Sequence, residues 1–281
     1  MIKILSILFI SLVCAMASLA GQPNLVPHPI NLKNGKHFSL NLPSNYDIIP
    51  AAEGLKRVRF FAKAPDGRMF VTDMHDLSDN EKGIIYILDK WSAETGQFGK
   101  IIPYLTGLHN PNSVQFYTDP QGQDWLYIAE TNQLTRRKFT QDEIKPTSKA
   151  EVLATFPDYG LSYKYGGWHL TRTIAIGGNG KIYVSVGSSC NACTEKEKVR
   201  AAVLEMNPDG SEQKNYATGL RNAVGLKWVG NFLFATNQGV DHLGHNQPDE
   251  TFYALKRDAN YGWPSCYSSK GKILVDPKFK R

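Results

Sequence analysis

The chain has 281 residues, 42% of them hydrophobic and 21% charged, with 24 Gly, 15 Pro and a formal net charge of +6. That composition excludes a disordered, collagen-like or membrane-filling chain and leaves a globular protein large enough for a substantial core. The basic residues are scattered, with Arg136-Arg137-Lys138 the only triplet, which argues against a nucleic-acid partner.

The first twenty residues read as an address. Lys3 supplies a short positive region, Ile4 to Ala17 is uncharged and mostly apolar, and Ser18-Leu19-Ala20 precedes Gly21 as a small-residue cleavage site. The apolar run is short for a membrane anchor. Val13 stands where a lipidated Cys14 would want a small residue. Residues 1–20 are therefore expected to be a signal peptide and 21–281 an exported domain, periplasmic or secreted, with no membrane span. In such a compartment disulfides form. Three cysteines remain, Cys190, Cys193 and Cys266. The Cys190-Asn191-Ala192-Cys193 pair suits a redox motif, half a zinc site or a disulfide pinning a loop. With no second such pair, the loop staple is the favoured reading. Cys266 is left over.

Four segments share one pattern: Gly54-Leu55 to Val71, Gly107-Leu108 to Ile128, Gly166-Gly167 to Val184, and Gly219-Leu220 to Ala235. Their starts lie 53, 59 and 53 residues apart. Inside each, a turn glycine (Gly67, Gly122, Gly180, Gly230) leads into a β-rich run such as Trp125-Leu126-Tyr127-Ile128. Such a repeat predicts an all-β propeller, whose blades cannot cover both faces alone and so stack around an axis. A β-sandwich is the alternative. Four repeats and a partial fifth predict about four to five blades, an incomplete ring.

Candidate chemistry lies in the second half. His169, at the start of the third repeat, offers a neutral imidazole able to take a proton. Arg221 and Asn222 sit at the equivalent start of the fourth, where the guanidinium suits a carboxylate or quinone oxygen, or a tie between blades. Asn237-Gln238-Gly239-Val240-Asp241 and Gln247-Pro248-Asp249-Glu250 combine amides, carbonyls and acids that a hard cation prefers, though not at EF-hand spacing.

His169-Leu170-Thr171-Arg172, the run from Gly180 to Asn191, Gly219-Leu220-Arg221-Asn222, Asp249-Glu250 and Asn260-Tyr261-Gly262-Trp263-Pro264 occur in that order. Together they resemble the soluble pyrroloquinoline quinone-dependent glucose and sorbosone dehydrogenases, a family of six-bladed propellers. The likeness runs from near Leu42-Pro43 over nearly all the mature chain. It implies oxidation of an aldose or related sugar aldehyde by hydride transfer to the quinone. By the same resemblance His169 is the base that takes the sugar hydroxyl proton, Arg221 lies over the quinone oxygens, and Asn222 and Gln238 contact the cofactor. Carbonyls of Gly239 and Val240 would hold one calcium ion, and Glu250 with Tyr261 part of a second.

The sequence departs from the family at several points. Ser188 stands where glucose-oxidising members carry an acid behind the histidine, as in sorbosone-like members. Val240 replaces a proline, and Gly178-Asn179-Gly180 replaces a Pro-Asp-Gly turn. Further cofactor-binding Lys and Arg residues of the family fall past Arg281, which bears on the activity of a chain of this length and on the partner of Cys266. Two other functions are alternatives for such a sequence: a calcium-dependent lactonase-type hydrolase, and a propeller that only binds carbohydrate or protein. Quinone-dependent dye reduction separates the first reading from both. The substrate sugar, the electron acceptor and the oligomeric state are not specified by these motifs.

Overall fold

The structure is a computed structural model that describes residues 24–158 and 169–279. The expected signal peptide and the Gly166-Gly167-Trp168 start of the third repeat lie outside the described residues. Among the described residues secondary structure is almost wholly β, with a short 3-10 turn at Pro277–Phe279. Two compact units divide the chain, Met1–Glu53 with Ser92–Gln97, and Gly54–Trp91 with Phe98–Arg281.

In the first unit, β1 (Leu25–Asn31) and β2 (His37–Pro43) form an antiparallel hairpin from Leu25↔Pro43 to Asn31↔His37. Gln97 Nε2 donates to the Pro50 carbonyl at 3.2 Å.

The second unit is a four-blade propeller arrangement. The first blade orders β3 (Val58–Lys63), β4 (Met69–Asp73), β5 (Gly83–Ser92) and β6 (Gln97–Leu108); the second orders β7 (Ser113–Thr118), β8 (Asp124–Ala129), β9 (Gln133–Lys138) and β10 (Glu151–Thr155). The third contains β11 (Arg172–Ile176), β12 (Ile182–Val186), β13 (Ala202–Met206) and β14 (Lys214–Thr218), and the fourth β15 (Leu226–Val229), β16 (Phe232–Asn237) and β17 (Thr251–Leu255). The chain then returns as β18 (Ala259–Asn260), parallel to β14, and ends in the hairpin of β19 (Cys266–Ser269) and β20 (Lys272–Val275). Each predicted repeat segment thus contains the first two strands of a blade. The turn before β4 closes with Gly67 N–H on the Ala64 carbonyl at 2.9 Å, and Gly67 has φ +88°, a conformation that favours glycine.

The two-residue period of a strand explains how blades join. Leu126 and Ile128 of β8 pack with Phe70, Ile85 and Ile87 of the first blade. Their neighbours Tyr127 and Ala129, on the opposite face, pack with Ile182, Val184 and Leu204 of the third. In β12 the same alternation sends Ile182 and Val184 toward the second blade, and Tyr183 toward Leu226, Leu233 and Leu255 of the fourth. β8 and β12 therefore read as nearly continuous apolar runs, because both of their faces are buried. Full burial of such a side chain contributes about 1.5–3 kcal/mol. Innermost strands β3, β7, β11 and β15 adjoin in series, and the loops at their ends build the site.

Candidate functional site

His169 directly precedes the third blade and has φ +54°, the left-handed region. A non-glycine residue there is strained and needs external support. Buried Arg172 supplies it by donating from Nη1 to the His169 carbonyl at 2.6 Å, while Thr131 Oγ1 donates to the Leu170 carbonyl at 2.7 Å. The ring is fixed from behind. Nδ1 lies 2.9 Å from the Ser188 carbonyl and 3.1 Å from Ser188 Oγ, and that hydroxyl gives its own proton to the Cys190 carbonyl at 2.7 Å. Both neighbours of Nδ1 are thus acceptors, so Nδ1 carries the hydrogen and Nε2 is the basic nitrogen. Burial above all, then the positive charge of Arg221, pushes the imidazole down to about 4, so the ring is neutral at neutral pH. Gly187 permits this packing: a Cβ there would meet His169 Cβ at 2.5 Å and Asn222 Oδ1 at 2.6 Å.

Main-chain bonds tie the neighbouring loops into one frame. Ser188 N–H donates to the Arg221 carbonyl at 2.7 Å, and Gln238 N–H to the Asn222 carbonyl at 3.1 Å. Asn222 Nδ2 donates to Gln238 Oε1 at 2.6 Å. His169, Asn222, Gln238 and Glu250 line a cavity of about 850 Å³, together with Arg59, Met74 and Phe252.

Arg221 does not line that cavity. Its side chain is buried, and Nε donates to the Asn191 carbonyl at 3.0 Å, while Nη2 reaches Asn191 Oδ1 at 2.9 Å and Asp241 Oδ2 at 2.8 Å. Burial lowers its pKa, opposed by Asp241. These bonds link the loop of Arg221 to those of Asn191 and Asp241. Arg221 belongs to a second cavity of about 520 Å³, shared with Gly239, Val240, Asp249 and Tyr261; Gln238 borders both.

The predicted calcium residues are correspondingly divided. Gly239, Val240 and Tyr261 line the second cavity and Glu250 the first. Glu250 Oε1 accepts Gly239 N–H at 3.3 Å. Tyr261 hydroxyl accepts Lys256 N–H at 2.9 Å and donates to the Ala254 carbonyl at 3.2 Å. Its backbone N–H bonds the Thr218 carbonyl at 2.9 Å, which brings the Tyr-Gly-Trp-Pro turn against Gly219. A Cβ on Gly219 would meet Asn260 Oδ1 at 2.2 Å, so the two motifs require each other.

Cys190 and Cys193 form the expected local disulfide, and Cys266 is free. Asn191 inside that loop also accepts Asp241 N–H on Oδ1 at 2.9 Å and Trp263 Nε1–H on its carbonyl at 3.2 Å. The staple thereby holds the Arg221 clamp and, through the Cys190 carbonyl, the support of His169. Elsewhere Asp79, His109 and Asp158 bring metal-type ligand atoms together, with one carboxylate at each ring nitrogen of His109.

No protein-family model and no curated protein matches this chain. Among solved structures it is similar to the holo form of the pyranose dehydrogenase PQQ domain from Coprinopsis cinerea. That likeness has a TM-score of 0.64 and 17% identity, covering 85% of this chain and 60% of that one. It establishes the fold. The chain thus spans less than two thirds of that domain. A calcium-binding regucalcin from Agrobacterium tumefaciens is similar at a TM-score of 0.48 and 18% identity, covering 85% of this chain and 93% of that one.

Proposed function

We propose that this protein is an exported, periplasmic or secreted, quinoprotein of the six-bladed propeller type that oxidises an aldose or related sugar aldehyde. The observation that carries the reading is His169: a neutral imidazole with its Nδ1–H fixed on a backbone carbonyl, at the wall of a cavity of sugar-binding size. Pyrroloquinoline quinone, when bound, supplies the two-electron acceptor for the sugar's hydride.

The donor chemistry of the cavity suits that group. Gln238 Oε1 is engaged by Asn222, which turns the Gln238 amide N–H groups toward other acceptors such as quinone oxygens. In the second cavity the carbonyls of Gly239 and Val240 and the carboxylate of Asp249 are hard oxygen ligands that suit calcium. His169 Nε2 takes the hydroxyl proton of the substrate, and the Ser188 carbonyl stabilises the imidazolium that results. Arg221 acts from the second cavity by holding the Asn191 loop in register. Met74, Leu77 and Phe252 give the cavity an apolar wall on one side.

The test is reconstitution of the purified protein with pyrroloquinoline quinone and calcium, followed by dye reduction on a panel of aldoses. Saturable, sugar-dependent reduction is expected. His169→Ala should lower turnover by roughly 10²–10⁴-fold with quinone affinity retained. Equal turnover in the variant would remove His169 as the base, and calcium-dependent ester hydrolysis without quinone would replace the reading.

A further inference from the structure

Arg59 is not marked by any sequence motif, yet it is the only arginine lining the cavity of His169, Asn222 and Gln238 among the described residues. It stands on β3. Its Nε–H donates to Asn112 Oδ1 at 3.0 Å, across 53 residues of sequence. Asn112 is fully buried and held on every side. Its Nδ2 donates to the Arg172 carbonyl at 2.9 Å and lies 3.1 Å from Thr173 Oγ1. Its N–H bonds the Ala129 carbonyl, and its own carbonyl accepts Thr72 Oγ1 at 2.7 Å. The acceptor of Arg59 is therefore immobile, and with Nε anchored the orientation of the guanidinium plane is set.

What remains is the outer edge of the fork. Among the described residues, Nη1 and Nη2 of Arg59 bond no protein acceptor, and no carboxylate lies within ion-pair distance. The contrast with other arginines is direct. Arg68 pairs with Asp66, Arg136 with Glu151, Arg221 with Asp241 and Arg257 with Glu205. Glu250, a carboxylate on the same cavity lining, is engaged with Gly239 N–H. Partial burial and the nearby charge of Arg57 both lower the pKa of Arg59, so an anion placed against it would relieve an unfavourable concentration of positive charge.

We infer that Arg59 is the carboxylate-binding residue of the first cavity, presenting its Nη1–Nη2 edge to the two oxygens of a ligand carboxyl group. Planar, two-point recognition of that kind is what a fixed guanidinium does better than an ammonium. The carboxyl group belongs either to the quinone cofactor, in which case the inference rests on the proposed function, or to a sugar acid, in which case it does not.

Calorimetric titration of the purified protein and of Arg59→Gln with pyrroloquinoline quinone, with glucuronate and with glucose tests this. Loss of the charged pair should weaken the carboxylate ligand by roughly 10–100-fold, leave glucose unaffected, and remove the salt dependence of binding. A shift for the quinone alone identifies the cofactor carboxyl, and a shift for glucuronate alone identifies a sugar acid. Absence of quinone binding with Arg59-dependent glucuronate binding overturns the dehydrogenase reading and keeps this one. If neither carboxylate binds, or both bind Arg59→Gln as tightly as the parent, the inference fails. Arg59→Lys, which keeps the charge and loses the fork, provides the same readout if the glutamine variant does not fold. Its expected result is an intermediate affinity, and parental affinity would overturn two-point binding.

Discussion

The two cavities differ in how their arginines are committed. Arg221, the arginine that the sequence motifs single out, gives its guanidinium to Asn191 and Asp241 and closes the second cavity as a clamp. Arg59, which no motif marks, gives Nε to Asn112, bonds no second acceptor among the described residues, and faces the first cavity. The lesson concerns residue type. A guanidinium at the expected place in a chain reveals little about its role until its acceptors are known, and among the described residues the two arginines differ in theirs.

The largest effect is expected from moving the imidazole of the first cavity while the second cavity is left as it is. Gly187→Ala forces a methyl group to 2.5 Å from His169 Cβ, an atom too close to the backbone to swing away. Turnover should fall by roughly 10²-fold with the melting curve retaining its cooperative shape; unchanged turnover would show that the ring position is not critical.

A second test uses pH. With the folded-state pKa of His169 pushed down to about 4, proton abstraction should not respond to pH between 7 and 5, and should fail as the ring protonates near 4. The linked stability has the same direction. Between the ordinary value of 6.5 and about 4 the unfolded chain takes up the proton and the folded one does not, so the stabilisation is complete above 6.5 and is lost as pH falls toward 4. His169→Gln should abolish that part of the slope in denaturant titrations at several pH values.

A smaller effect is expected at the clamp. Asn191→Ala deletes the Oδ1 acceptor shared by Arg221 Nη2 and Asp241 N–H, and should cost about 1–3 kcal/mol in denaturant unfolding. Quinone affinity should change far less than in Arg59→Gln. The reverse ranking would return Arg221 to the centre of the cofactor site.

The second strand of each blade was legible in the sequence because it is both apolar and punctuated. A glycine turn precedes each of β4, β8, β12 and β16, and those strands fill the interblade cores. The outer strands β6 and β10 carry mixed, half-exposed sequences, Gln-Phe-Gly-Lys-Ile-Ile and Glu-Val-Leu-Ala-Thr, with no alternation strong enough to announce them. The hairpin between β13 and β14 had a readable signal, since Gly210 closes its turn on Asn207. The Cys190–Cys193 staple was the favoured reading of the sequence because no second such pair accompanies it. Arg59 was not, because its meaning comes from Asn112 on the adjacent blade. The support of His169 was hidden for a different reason: the Ser188 carbonyl is main chain, which the identity of residue 188 does not report.

The alternating faces of the blades also determine what a single-residue deletion means. Removing one residue from β12 would not leave a gap; it would transplant side chains, exchanging Tyr183 and Val184 between the cores on either side of the third blade. The Tyr183 hydroxyl now donates to Glu205 Oε2 at 2.7 Å, directly across the strand pair. In the other core it would arrive without that acceptor. A strand such as β12 is thus a message addressed to two recipients at once, and an error of one letter misdelivers both halves.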